Sequence, residues 1–73
     1  MTYGEKAVGL SFNPSGDDKV GQLKALYAQI IDICNDSRCN SEATPEMKRL
    51  YSVAITEAQG AQMWAVKAAT WKD

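Results

Sequence analysis

The stretch TPEMKRLYSVAITEAQGAQMWAVKAATW, residues 44–71, decides the fold. Thr44 is a good N-cap, Pro45 sits where a helix tolerates a missing N–H, and Glu46 suits the positive helix start. No further breaker but Gly60 follows, so the spacing predicts one helix to about Trp71, roughly 27 residues and about 40 Å long. On a helical projection, Met47, Leu50, Tyr51, Ala54, Ala58, Ala61, Ala65 and Ala69 form one stripe. Its alanines would let a neighbouring helix come close, so this stripe is the expected intramolecular face. Val53, Gly60, Trp64 and Trp71 form a second stripe, bordered by Arg49, Thr56, Met63 and Lys67, and Ile55 and Val66 mark a third edge. A helix apolar on several sides is buried on several sides. Gly60 costs about 1 kcal/mol relative to Ala in mid-helix, which suggests a neighbour's backbone close by. Val53, Gly60, Trp64 and Trp71 are therefore the expected contact between copies of the chain, with the Trp rings as anchors.

Working back toward the N-terminus, a polar connection to Ala43 precedes this helix, and a first helix is expected from about Asp17 to Asp36. Ser15 is its N-cap candidate, with Asp18 three residues on. Val20, Leu23, Tyr27, Ile30 and Cys34 recur at alternating three and four and mark its core stripe. The connection is short enough to make the two helices antiparallel neighbours. Residues 1–16, MTYGEKAVGLSFNPSG, carry Gly4, Gly9, Gly16 and Pro14 and read as an extended arm. The expected architecture is all-α: one domain, an arm over 1–16 and a two-helix antiparallel hairpin over 17–73.

Seventy-three residues rarely bury enough apolar surface to stand alone. Metal is a poor remedy, because the chain has no His and only two Cys, Cys34 and Cys39. A Cys34–Cys39 disulfide would close a small loop and constrain little. Assembly into a compact homo-oligomer is the remaining route. A net charge of −1 argues against binding DNA or RNA polymers, which depends on neutralising many phosphates, yet leaves room for a small anion. No apolar run approaches the length of a membrane span and no signal peptide is evident, so a cytosolic chain with reduced thiols is expected. No nucleophile elbow, P-loop or dinucleotide fingerprint is present, no cofactor is implied, and the acids fall on helix starts and polar edges. Catalysis is not expected.

Gly21, Ala25 and Ala28 form a strip of small residues beside Lys24. A cation there can meet an anion in a groove, or its stem can simply cover apolar surface. Spacing alone favours the second reading.

Two segments carry a resemblance: VGLSFNPSGDDKVGQLKALYAQIID and RLYSVAITEAQGAQMWAVKAATWK. The pattern A-x-T-x-x-x-x-A-x-M-W-A-V-K-A, paired with an aromatic-x-Pro arm, resembles the hairpin domain of phage anti-CBASS protein 2 and the related Thoeris anti-defence sponge. The similarity spans most of the chain. It implies a phage protein in the cytoplasm of the infected bacterium that sequesters cyclic nucleotide messengers and cleaves nothing. It further implies two-helix protomers assembled into hexamers, with cyclic dinucleotides in one type of pocket between protomers and cyclic trinucleotides in another. For the dinucleotide, the matching positions are Phe12 in Phe12-Asn13-Pro14, to stack a base, and Lys24, beside Gly21, to meet phosphate. The family commonly has Tyr at the position of Phe12, so stacking survives here and a phenol hydrogen bond does not. For the trinucleotide, Arg49 and Thr56 are the nearest matches, with Ser52 an alternative to Arg49. Two other readings stand beside this one: a helical module that binds and inhibits a host protein, and a sponge for a cyclic ADP-ribose-type Thoeris signal.

Overall fold

A computed structural model describes residues 1–73. It holds three helices and no strand: α1 (Tyr3–Val8), α2 (Asp18–Arg38) and α3 (Pro45–Ala69). The hairpin runs as its start and stop signals require. Thr44 Oγ1 accepts the Met47 N–H at 3.2 Å and Pro45 opens α3. Near the connecting loop Arg38 Nη1 donates to Ser52 Oγ, while at the far end Val20 and Lys24 share a cleft with Val66 and Thr70. Partners rise along α2 as they fall along α3, so the two helices are antiparallel.

The N-terminal segment departs from expectation. Tyr3–Val8 is helical rather than extended. A capping box explains the start: Thr2 Oγ1 accepts the Glu5 N–H at 3.1 Å and Glu5 Oε1 accepts the Thr2 N–H at 2.8 Å. Gly9, at φ 63°, ends the helix in the left-handed conformation that a residue without a Cβ adopts freely. Six residues are too few to hold a helix by backbone bonds alone, and the remainder comes from α2. A Cβ on Gly4 would lie 2.1 Å from the Ala28 carbonyl oxygen, so only glycine permits the approach. The Gly4 N–H, unpaired within its own short helix, donates to Asp32 Oδ1 at 2.7 Å. Asp32 thus caps α1 from the neighbouring helix.

The start of α2 is also displaced. Asp17, not Ser15, is its N-cap, accepting the Lys19 N–H at 2.8 Å. Ser15 instead donates to Asn13 Oδ1 at 2.8 Å and shapes the turn ahead of the helix.

Both core stripes are rotated from their expected positions. On α2 the buried residues are Val20, Lys24, Ala28 and Ile31; Leu23, Tyr27 and Cys34 are half-buried, and Ile30 lies outside with Leu26 and Ile33. The reason is α1, which covers the Ala28 side and draws Lys24 inward. On α3, Ile55 and Gln62 are buried while Met47, Leu50, Ala54 and Ala61 are exposed; Tyr51, Ala58, Ala65 and Ala69 keep partial burial. Val8, Ala28, Ile31 and Ile55 form the core cluster, one residue from each outer helix and two from α2. Ile55 supplies the bulk that a small alanine cannot.

The result is a slab of 46 × 24 × 12 Å, one helix thick. Its accessible surface is 5159 Å², against about 4,450 Å² for a compact monomer of 8.0 kDa. Both thiols are free, Cys34 half-buried and Cys39 exposed, and no helix is long and apolar enough to cross a membrane.

The Gly4 contact gives a direct test. Gly4→Ala should force α1 off α2 and cost about 1–3 kcal/mol, lowering the thermal midpoint by several degrees. A melt of the variant superimposable on the parent's would refute the close approach.

Candidate functional site

The site grows out of the segment between α1 and α2. After Gly9 the chain turns tightly, with the Phe12 N–H on the Gly9 carbonyl at 2.9 Å. Asn13 then ties the segment to α2, its Nδ2 donating to the Asp17 carbonyl at 3.1 Å. At Gly21 a Cβ would come only into ordinary contact with Asn13 Nδ2, at 4.0 Å, so the packing there does not require a glycine. The clamp is Lys24. It is only 5% exposed, and its ammonium donates to the Gly9 carbonyl at 3.0 Å and to the Phe12 carbonyl. A buried cation is expensive unless its protons are bonded; two backbone oxygens meet that need here.

The same ammonium lies 5.5 Å from the centroid of the Phe12 ring, within cation–π range. Phe12 is nevertheless 72% exposed. An aromatic ring is thus fixed at its root by the buried lysine and left open to solvent over most of its surface. On one side of it lies a cleft of about 260 Å³, lined by Phe12, Asn13, Pro14, Ser15, Val20, Lys24, Val66 and Thr70. On another lies a broader groove of about 580 Å³, where Lys6 and Gln62 join Phe12, Lys24, Met63 and Val66. The structure therefore brings Phe12, Asn13, Pro14 and Lys24 together in one cleft, while Gly21 lines neither the cleft nor the groove. Lys24 does more than cover apolar surface, since its head group is bonded inside.

Arg49, Ser52 and Thr56 lie along one side of α3 at helical spacing, and none of them lines a cavity of the protomer. The Arg49 guanidinium is engaged by Glu46, with Nε on Oε2 at 3.1 Å, and this holds the Glu46 carboxyl below its usual range and pushes the guanidinium up. Ser52 Oγ donates to the Lys48 carbonyl and receives Arg38 Nη1 at 3.1 Å; Thr56 Oγ1 donates to the Ser52 carbonyl at 3.2 Å.

The stripe of Val53, Gly60, Trp64 and Trp71 faces outward. Trp64 and Trp71 are 71% and 64% exposed, and Lys67 Nζ sits between their rings at 5.3 and 5.9 Å. Together with Ala68 they border a shallow hollow of about 450 Å³. A Cβ on Gly60 would touch nothing in the protomer.

Several residues escaped the sequence reading. Val66 and Thr70 reach the Phe12 cleft only because α3 returns antiparallel past α2. Arg38 was unplaced, yet it bonds Ser52 and lies 5.4 Å from the Tyr3 ring centroid, joining all three helices. Gln62 is polar at a core position, which a hydrophobic pattern passes over. No three or more Cys, Asp or Glu side chains gather where they could hold a metal ion.

The fold is a helical hairpin domain with a short, capped helix folded back against its first long helix. The chain belongs to the Acb2/Tad1 hairpin-domain family: the family described as "Acb2/Tad1, hairpin domain" matches residues 5–70. At the level of the family this supports a sponge-type role against host defence. No curated protein and no solved structure matches the chain.

The clamp can be tested in the free protein. Lys24→Met should release the Gly9 and Phe12 carbonyls, so that amide hydrogen exchange across residues 9–13 speeds up at least about tenfold while α2 and α3 keep their protection. Equal acceleration throughout, or none in that segment, would refute a local clamp.

Proposed function

We propose that the protein is a phage-encoded sponge that binds cyclic di- and trinucleotide messengers of bacterial CBASS immunity in the host cytoplasm and releases them unaltered. The observation that carries this reading is the Phe12–Lys24 pair: an exposed aromatic face anchored beside a cation in a cleft, on a hairpin of the matching family. A cyclic dinucleotide presents two flat bases and two negative charges. A ring such as Phe12 stacks a base with about 1–3 kcal/mol. The Lys24 ammonium has three N–H groups; two hold the turn and the third is left for a phosphate oxygen. Asn13 and Pro14 form the wall of the same cleft.

The two-fold character of such a ligand suits a two-fold pair of protomers, each giving one Phe12 and one Lys24. The bare α3 stripe supports assembly. Two exposed Trp rings, Val53, and a Gly60 that no contact inside the protomer requires are features of a surface that another copy covers. The surplus accessible area of the protomer supports it too. A homohexamer is the proposed state. In it Arg49, Ser52 and Thr56, which line no cavity of one protomer, border a trinucleotide pocket between copies. A ligand enclosed between subunits leaves slowly, which sequestration needs.

Titration calorimetry against cyclic di- and trinucleotides, followed by chromatography of the ligand released on denaturation, tests the binding. The expected result is tight binding with the ligand recovered intact, and for Phe12→Ala a loss of roughly tenfold or more. Absence of heat with every ligand, or recovery of a linear product, would overturn the reading.

Light scattering tests the assembly. The parent should show a mass several times 8.0 kDa, and Trp64→Ala should reduce it. A monomeric parent would remove the interface assigned to α3.

A further inference from the structure

Gln62 and Lys24 are the two buried polar side chains, each 5% exposed, and the Gln62 amide takes part in no hydrogen bond within the protomer. No buried polar atom of the molecule is fully sealed without a partner, so the Gln62 amide opens into the space beside it. That space is the groove of about 580 Å³ bordered by Phe12, Lys24, Lys6, Met63 and Val66. Its volume lies within the range of small-molecule sites. An apolar residue would serve the core better at this position, because a deep amide without a partner costs stability. The groove is apolar along Met63, Val66 and the Phe12 ring, and cationic at Lys6, Lys24 and Lys67. No carboxylate borders it.

We infer that Gln62 reads the hydrogen-bonding edge of the base that stacks on Phe12, and that it selects adenine. This rests on the reading of Phe12 and Lys24, which border both the cleft and the groove, as a nucleotide site. An amide offers one acceptor beside a pair of donors. Adenine presents the complement: an N6 amine that donates and a ring nitrogen, N7, that accepts. On that same edge guanine presents two acceptors, O6 and N7. The Gln62 oxygen would then face O6 with no donor between them. A guanine seated this way leaves the amide oxygen unpaired, and discrimination is strongest where burial leaves such a group without a partner.

The test is calorimetry of the parent and of Gln62→Leu with cyclic di-AMP and cyclic di-GMP. The parent should favour cyclic di-AMP by roughly tenfold or more, and Gln62→Leu should weaken cyclic di-AMP by roughly ten- to hundredfold while moving cyclic di-GMP by less than about threefold. The variant should melt at or above the parent's temperature, since an unpartnered amide has been replaced by an apolar side chain of similar length. If Gln62→Leu does not melt cooperatively, Gln62→Glu provides the same comparison; it keeps an acceptor for the N6 amine, loses the donor to N7, and should weaken cyclic di-AMP. A parent that binds both dinucleotides alike, or a Gln62 variant that folds and binds cyclic di-AMP like the parent, overturns the role of Gln62 and leaves the sponge reading intact. A parent that binds neither overturns both.

Discussion

The Lys24 ammonium sits where α1 ends, where the following turn begins, and where α2 passes beneath both. It binds the carbonyls of Gly9 and Phe12 from inside the protein. That placement fixes much else. It orients the turn, and through the turn the Phe12 ring; it makes Val20, Lys24, Ala28 and Ile31 the inner stripe of α2; and it leaves Ile30 facing out. A leucine at position 24 would fill the space but could not satisfy two backbone oxygens. The cation therefore acts as a structural bolt at the wall of the cleft it has helped to form.

The hairpin was legible because its signals are local. Thr44-Pro45-Glu46 is a helix start wherever it occurs on a polar loop, and 25 residues with a single glycine continue it. The polar connection fixed the antiparallel return. Helix α1 also carried local signals, Thr2 and Glu5 at capping-box spacing and Gly9 beyond the end. They were outweighed by Gly4, which reads as a helix breaker until the Ala28 carbonyl is seen against it. The stripes were misplaced for one shared reason. A hydrophobic pattern sends Lys24 and Gln62 to the solvent, and both are inside. Of the candidate site, Phe12, Asn13, Pro14 and Lys24 were legible through resemblance, and the structure gathers them. Val66, Thr70 and Gln62 were not, because they join the cleft and the adjoining groove only through the meeting of α3 with the arm, a long-range fact that no window of sequence contains.

Two surfaces of the protomer, which adjoin at Lys67, divide the chemistry. Around Phe12 the surface is concave, cationic and partly apolar, suited to a flat anion. Along Val53, Gly60, Trp64 and Trp71 it is shallow and aromatic, suited to another helix surface. The core is small, with only 8 of 73 residues buried, and cannot alone account for a stable small domain. The hydrophobic shortfall and the exposed aromatic stripe are the same fact seen from inside and outside. Arg49, held by Glu46 in the protomer, is a cation kept extended on that outer side rather than folded back onto the core.

A body 12 Å thick has another consequence. Each helix touches both broad surfaces, so its girth is the full depth of the molecule. A bulkier side chain that a thicker domain would absorb among its inner layers must here push a backbone toward the opposite surface. A change of volume between the helices is thus transmitted as a change of outline on both surfaces.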